Sequence, residues 1–426
     1  MGLRDRLERL DRLAPVSPSQ AQPEASSDWM RQLEQELQIK VLHKEQSFFL
    51  LKEDLYPVFR NPAFSYLQQK GFQTERFCRL VGLAEPQPLS LRQAIFFDLE
   101  TTGLAGGTGT FAFLIGIGTI ERDAIRVRQY VLPDFSHEWA LLDHLQTVFD
   151  AYPMTISFNG KTFDVPLLSN RFVLNQMDNV LENKLHIDLL HAARRIWRYL
   201  LPSCNLQQLE KDVLQIEREG DIPGELIPQI YFDFIRKRDA WMLQDVLEHN
   251  FHDIVNMVQL GIYLAAVADE PLLYLTAPEE VAALADFYFK RRWDDLALPL
   301  LEHLIEQAGA FSPQFNLQPF FQLAMILKRR GKLQQATRYL WQLLDQNVLH
   351  PRIIEELAKF YEHQEKDFQL ALQIVERGLN HLQLLEQLER PEEKGRYWEA
   401  LKHRQKRLQQ KLARQKTHTE NPPGKA

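Results

Sequence analysis

The chain has 426 residues, enough for two or three domains at roughly 100–200 residues each, and its 45% hydrophobic and 25% charged composition allows a sizeable core. The net charge of −7 excludes a basic coat for nucleic acid, so any contact with nucleic acid must use local patches. The two cysteines, Cys78 and Cys204, lie far apart and form no CxxC pair, which excludes a disulfide scaffold and a zinc ribbon and fits a reducing cytoplasm.

Residues 1–28 read as a flexible arm. Leu3, Leu7, Leu10 and Leu13 recur at helical spacing, and "APVSPSQAQPEASSD" follows as a linker. No apolar core of signal-peptide length and no run of about 18 apolar residues is evident, so a cytoplasmic protein without a membrane span is expected. Residues 29–93 read as a mainly helical extension with turn signals at Asn61-Pro62 and Glu85-Pro86. At residue 94 the pattern changes. "AIFFDL", "TFAFLIGIGTI" and "AIRVRQYVLP" are strand-like, rich in β-branched and aromatic residues. A helix is expected from about Ser136 to Phe149, a fourth strand at "MTISFN", a helix through Leu167, Leu168 and Phe172, and a fifth strand at "KLHIDLL" leading into "HAARRIWRYL". Three strands followed by strand–helix alternation predict an α/β domain with a mixed sheet over residues 94–265.

From residue 266 to 390 a repeat replaces the strands. "LADFYFKRRWDDLALPLL", "LAMILKRRGKLQQATRYL" and "LAKFYEHQEKDFQLALQIV" each open on Leu-Ala and carry a second alanine further on: Ala285 and Ala297, Ala324 and Ala336, Ala358 and Ala371. The third unit has one extra residue before its second alanine. Small residues at these places let the helices of a hairpin approach closely, and the units resemble degenerate tetratricopeptide repeats. Residues 391–426 read as a basic tail, a solvated helix with a disordered end; Lys394 to Lys416 holds nine Lys or Arg and one Glu.

The glycine stretch after the first strand of the α/β domain formally contains G-x-G-x-x-A at Gly107, Gly109 and Ala112. A dinucleotide cradle requires a helix next, and a strand pattern follows, so the glycines read as a permissive loop. The acids just before them carry more. Asp98 and Glu100 are two residues apart in a strand and point to one side; with Thr102 they echo D-x-D-x-T phosphatases, with Glu in place of the second Asp. Adjacent carboxylates repel unless a cation lies between them. "ISFNGKTFDVPLL" adds Asp164 at the start of a helix, and "EHNFHDIVNMVQL" adds Asp253 on a helix with His249 one turn earlier, on the same face. Four carboxylates with a basic side chain fit a two-metal hydrolase, and oxygen ligands suit Mg2+ or Mn2+.

On these motifs, residues 94–265 resemble the DEDD exonuclease superfamily on the ribonuclease H-like fold: "FDLETTGL" is similar to its first motif, "SFNGKTFDVPLL" to its second and "HNFHDI" to its third. "DLETTGLAGGTGT", "IDLLHAARRIW" and "LPSCNLQQLE" are most similar to its YprB-type bacterial group. The resemblance implies an α/β ribonuclease H-like domain, a five-stranded mixed sheet with flanking helices, followed here by the all-α tetratricopeptide-like repeats. It further implies metal-dependent hydrolysis of nucleic-acid phosphodiester bonds, 3′→5′, with two ions, Mg2+ or Mn2+. Asp98 would bridge the ions, Glu100 and Asp164 would share them, Asp253 would hold the attacking-water side, and His249 would orient or deprotonate that water. One departure stands out. The family's third motif is Tyr-x3-Asp or His-x4-Asp, whereas His249 stands at the tyrosine's spacing from Asp253, and Glu248 occupies the longer one. His252 faces elsewhere on the helix.

Weaker candidates surround this set. Asn159 and Lys161 could touch phosphate, Thr101 and Thr102 could place a backbone amide near a strand end, and Arg194, Arg195 and Arg198 could hold backbone phosphates. The runs Lys290-Arg291-Arg292 and Lys328-Arg329-Arg330 could do the same. Phe111 or Phe113 could stack a base, and Asp188 could cap a helix or add a ligand. The expected partners are single-stranded ends of DNA or RNA, and a protein bound through the repeats. The alternatives are a non-catalytic scaffold built on the repeats, or an endonuclease using the same site.

Overall fold

Seven strands form one mixed sheet in the order β1-β2-β5-β4-β3-β6-β7. They are Lys40–Lys44 (β1), Ser47–Pro57 (β2), Ala94–Thr101 (β3), Ala112–Ile120 (β4), Ala124–Val131 (β5), Met154–Ser157 (β6) and Leu185–Asp188 (β7). The computed structural model describes residues 25–58, 62–70, 75–83, 90–103, 109–218, 220–307, 318–346, 348–387 and 394–420. The arm up to residue 24, glycine-stretch residues 104–108 and the end of the tail beyond 420 fall outside these. β1 to β5 pair antiparallel, while β3 pairs parallel with β6, and β6 with β7. Strands β1 and β2 correct the five-stranded expectation, since they come from the segment read as mainly helical. Val41 is the only β-branched residue between Lys40 and Pro57, so Phe48, Phe49 and Tyr56 give a strand signal that the surrounding leucines and charged residues dilute. Pairing of β2 along the edge of β5 supplies the strand conformation from outside the segment.

Helices cover both faces. They are Ala25–Gln35 (α1), Pro62–Lys70 (α2), Glu75–Leu80 (α3), Glu138–Asp150 (α4), Asp164–Leu174 (α5), Leu189–Trp197 (α6), Ile227–Lys237 (α7) and Gln244–Asp269 (α8). In β3, Ile95, Phe97 and Leu99 point into a core shared with Trp29 of α1, Phe149 of α4, Phe172 of α5 and Tyr231 of α7. The ring of Phe113 stacks on Tyr231 with centroids 3.9 Å apart, so Phe113 is a core residue and unavailable to a base. A buried pair fixes α5 to α4: Arg171 Nε donates to Glu138 Oε1 at 2.6 Å, and both side chains are almost fully enclosed.

The alternate residues of β3, Phe96, Asp98 and Glu100, face the other side, where α8 crosses the sheet. Its stretch from residue 240 to 269 is long and apolar enough to span a membrane by composition, yet 78% of its most apolar window is buried inside the fold. It crosses close because β4 carries no side chain at Gly116 and Gly118. A Cβ on Gly118 would lie 2.7 Å from Ile254 Cγ2, and one on Gly116 would lie 2.3 Å from Asn250 Oδ1. Gly116 pairs with Asp98 across β3 and β4. The missing side chain therefore admits α8 at the level of that carboxylate. Helices α2 and α3 pack on the far end of α8, where Tyr66 Oη donates to Asp269 Oδ2 at 2.6 Å and Arg76 Nη1 donates to the Asp269 carbonyl at 2.7 Å.

The chain divides into two compact units at Tyr274 and Leu275; the boundary expected at 265/266 falls inside α8. The second unit is all helical among its described residues: Pro278–Lys290 (α9), Asp294–Gln307 (α10), Gln318–Arg329 (α11), Leu333–Asp345 (α12), Pro351–Phe360 (α13), Phe368–Gln387 (α14) and Lys394–Glu420 (α15). The first six form three hairpins, and Ala285, Ala297, Ala324, Ala336, Ala358 and Ala371 are all buried within them. The extra residue of the third unit appears as a π-helical turn, Tyr361–Glu365, which admits one residue more than an α-turn. That turn holds Glu362, fully enclosed and bound by the basic tail. Arg404 Nη1 donates to it at 2.7 Å, Arg407 Nε at 2.8 Å and Lys411 Nζ at 2.8 Å. Burial pushes the Glu362 carboxyl up, but the bonds and charges of Arg407 and Lys411 outweigh it and hold the group at about 2. The tail helix is thus docked on the repeats by its own charge, where a solvated helix was expected. Four residues of the other basic runs are also paired: Lys290 with Asp286, Arg329 with Asp294, Arg330 with Asp295 and Lys328 with Glu356.

Gly118→Val places branched carbons where Ile254 and Val258 already pack. It is expected to cost about 1–3 kcal/mol of stability, read as a lower urea midpoint. An unchanged midpoint would contradict the close crossing of α8.

Candidate active site

Three elements deliver the acids. Strand β3 carries Asp98 and Glu100 on its α8 face, with a register shift between Glu100 and Thr101 where the pairing with β4 ends. Helix α5 begins at Asp164, so that carboxylate sits at the positive end of the helix and is bonded by its own backbone amide. Helix α8 carries His249 and Asp253 one turn apart, with His249 Nε2 3.5 Å from Asp253 Oδ2. Ligand atoms of Glu100, His249 and Asp253 all lie within 4.8 Å of one another. His249 Nε2 is 3.9 Å from Glu100 Oε1.

The electrostatics record the crowding. Burial, then the charges of Asp253, Asp164 and Glu100, push the Asp98 carboxyl well above its usual range, and a bond from Asn250 only partly relieves it. Glu100 is raised by burial and by Asp253, Asp164 and Asp221. Asp164 is pushed up to about 7 by burial, against a bond from its own backbone amide and with the charge of Asp188 adding to the rise. The structure therefore brings Asp98, Glu100, Asp164, His249 and Asp253 to one enclosed place. Oxygen donors in such excess over local positive charge are the donor set of a hard divalent cation.

The loop before α5 owes its shape to two features. Gly160 leaves the space that a Cβ would fill, 2.7 Å from Asp164 Oδ2 and 2.3 Å from Ser157 Oγ. Asp188 accepts from the backbone amides of Asn159 at 2.8 Å and Lys161 at 3.2 Å, and caps α6 by accepting from Leu190 N at 3.0 Å. These three bonds all come from backbone amides, so Asp188 holds the loop and the helix. Asn159 takes a left-handed φ of 64°, tolerated by asparagine, and the side chains of Asn159 and Lys161 are exposed beside the site.

Other candidates have structural partners. Thr101 Oγ1 donates to the Gly103 carbonyl at 3.1 Å, and Thr102 Oγ1 accepts from Phe111 N at 3.0 Å, so both hydroxyls are taken up by nearby backbone. Phe111 lies under the Arg171 guanidinium, 3.9 Å from its ring centre. Arg195 Nη1 donates to the Leu80 carbonyl at the end of α3, which commits it to the fold and away from phosphate. Arg194 and Arg198 stay exposed, and Arg198 lies over the ring of Tyr199, which is 89% exposed. His252 lies on the exposed side of α8, 3.9 Å from Glu248.

Five residues around the acids were not singled out in the sequence. Asn250, fully buried, donates from Nδ2 to Asp98 Oδ2 at 3.2 Å and accepts from Gln129 Nε2 at 3.1 Å. Gln129 Nε2 also donates to the Leu247 carbonyl at 2.7 Å. Asp221 Oδ1 lies 2.6 Å from His249 Nδ1, and Arg218 donates to Asp253, to Asp221 and to the buried Glu210. Burial would raise Asp221, but the bond from His249 and the charge of Arg218 hold it low. The one signal for Asn250 was its place one residue after His249.

Comparison with known proteins accords with this geometry. Residues 95–265 match the RNase_H superfamily, whose fold points to nucleic-acid hydrolysis as the class of chemistry. The chain is also 32% identical over 358 residues, 81% of its length and 84% of the relative's, to a Bacillus subtilis (strain 168) protein described as "Uncharacterized protein YprB". The chain belongs to that YprB family, within the RNase H superfamily.

The raised Asp164 fixes a pH dependence. Its folded value of about 7 exceeds the ordinary 3.8. The native state therefore holds a proton that the unfolded state has already released, and stability falls as pH rises from about 4 through 7. In chelator-treated protein, Asp164→Asn should raise stability at pH 8 by on the order of 2–4 kcal/mol, and by much less at pH 4, in paired urea titrations.

Proposed function

We propose that this protein is a metal-dependent nuclease that removes nucleotides from the 3′ end of a nucleic-acid strand. The observation that supports it most is the convergence of four carboxylates from a strand, a helix start and a mid-helix turn on one enclosed pocket, with the three on β3 and α5 all raised. Asp98, Glu100, Asp164 and Asp253 would hold two ions, Mg2+ or Mn2+. When bound, the ions would neutralise these acids, acidify water and balance the charge developing on phosphate.

The chain's own groups have separable tasks. His249 presents Nε2 to the pocket, between Glu100 and Asp253, where it can take the proton of an attacking water. Asp253 has one oxygen bound by Arg218 and the other turned towards His249. Lys161 and Asn159, exposed at the rim of the pocket, are the contacts proposed for phosphate. The Arg194, Arg198 and Tyr199 cluster offers exposed charge and an exposed ring, which suits single-stranded nucleic acid. The helical repeats, read as tetratricopeptide-like, are proposed to bind a protein partner or guide the substrate, in the cytoplasm.

The test uses single-stranded DNA and RNA labelled at either end, with Mg2+ or Mn2+. Labelled mononucleotide should appear from the 3′-labelled strands first, and Asp98→Ala should reduce cleavage to the rate seen with chelator. Internal cuts without end products would replace exonuclease by endonuclease action. Cleavage that is absent with either ion would remove the nuclease reading.

A further inference from the structure

The histidine of the site stands at an unexpected spacing from Asp253, and the structure shows what else holds it. His249 Nδ1 lies 2.6 Å from Asp221 Oδ1, well inside hydrogen-bond range. On its other side Nε2 is 3.5 Å from Asp253 and 3.9 Å from Glu100, at or beyond the limit of a direct bond. Three carboxylates thus surround the ring, and the nearest is on the Nδ1 side. A proton held on Nδ1 would leave the Nε2 lone pair directed at the acids of the site.

Asp221 is itself held. Its second oxygen, Oδ2, lies 3.0 Å from Arg218 Nη1. Arg218 is anchored in turn by Glu210, which accepts from Nε at 2.7 Å and from Nη2, with side chains only 7% and 2% exposed. Glu210 opens a π-helical stretch, Glu210–Leu214, that ends in a left-handed Gln215. Gly220, with a left-handed φ of 75°, precedes Asp221. The segment from Glu210 to Asp221 therefore builds one buried chain of contacts, Glu210–Arg218–Asp221–His249, which reaches the pocket from outside the three acid motifs.

We infer that Asp221 is the positioning residue for His249: it fixes the Nδ1–H tautomer and ring orientation that expose the Nε2 lone pair to the pocket, and Arg218 holds Asp221 in place for that task. The inference rests on His249 being the proton acceptor of the proposed nuclease, and it accounts for a histidine at a tyrosine's spacing, since the support comes from a separate segment.

The full-length chain, uniformly labelled with 15N and treated with chelator, tests this without any cleavage. A long-range 1H–15N spectrum, recorded at a pH high enough that the ring carries a single proton and with His249 identified by the signals lost in His249→Gln, should show that proton on Nδ1. In Asp221→Asn the proton should move wholly or partly to Nε2. With Mn2+ and a substrate that the wild type cleaves, Asp221→Asn should lower kcat by about 10- to 100-fold with KM within about twofold, and Asp221→Glu should recover part of the loss. A wild-type His249 protonated on Nε2 would overturn the inference even if Asp221→Asn fails to fold. So would an Asp221→Asn protein whose His249 tautomer is unchanged. A wild type that cleaves nothing would remove the nuclease reading, and the tautomer would still decide the role of Asp221.

Discussion

Repulsion among like charges in a largely buried cluster is the constraint on which the α/β unit depends. Asp98, Glu100 and Asp164 are all pushed up, and each acid feels at least one of the others or a neighbouring aspartate. The fold supplies partial relief to each in a different way. Asn250 donates to Asp98, the start of α5 faces Asp164, and Arg218 binds Asp253. None of these neutralises the group as a whole. A cluster so arranged costs stability in isolation, and such costs concentrate where a protein binds something of opposite charge.

The scaffold around the pocket is organised by missing side chains. Gly116 and Gly118 let α8 lie on β4, which sets the height of His249, Asn250 and Asp253 over Asp98. Gly160 lets Asp164 approach Ser157. Bulk on the opposite side of the sheet, from Phe97, Phe113, Phe149 and Tyr231, gives β3 and β4 a rigid backing. The acids therefore project from strand and helix, and the loop before α5 is fastened by Asp188. Precision of this kind is what orienting a reactive group requires.

How much could be read from the residues follows the range of the interactions. Strands β3, β4 and β5 were legible because their β-branched and aromatic content signals an extended chain by itself, and the acids were legible because three local motifs coincide. Strands β1 and β2 were not, since a single β-branched residue and a few aromatics among leucines and charges leave the conformation open until β2 pairs with the edge of β5. The buried alanine pairs of the repeats could be counted in advance, as could the one-residue insertion that appears as the π-turn at Tyr361–Glu365. That this turn encloses Glu362 for the basic tail could not, because the partners are some 42 to 49 residues away. Asn250, Arg218 and Asp221 escaped for the same reason: an amide, a guanidinium and one more acid carry no pattern until the fold brings them to Asp98, Asp253 and His249.

The central claim is that the crowded acids form a cation site, and proton release on binding tests it most directly. Mn2+ is titrated calorimetrically into the metal-free chain near pH 6, in two buffers of different ionisation enthalpy, with Asp98→Asn in parallel. The account predicts two bound ions and a net release of protons from the raised carboxyls, with binding weakened in the variant. Wild-type protein that takes up no Mn2+, or that binds it without releasing protons and as tightly as Asp98→Asn, would contradict it.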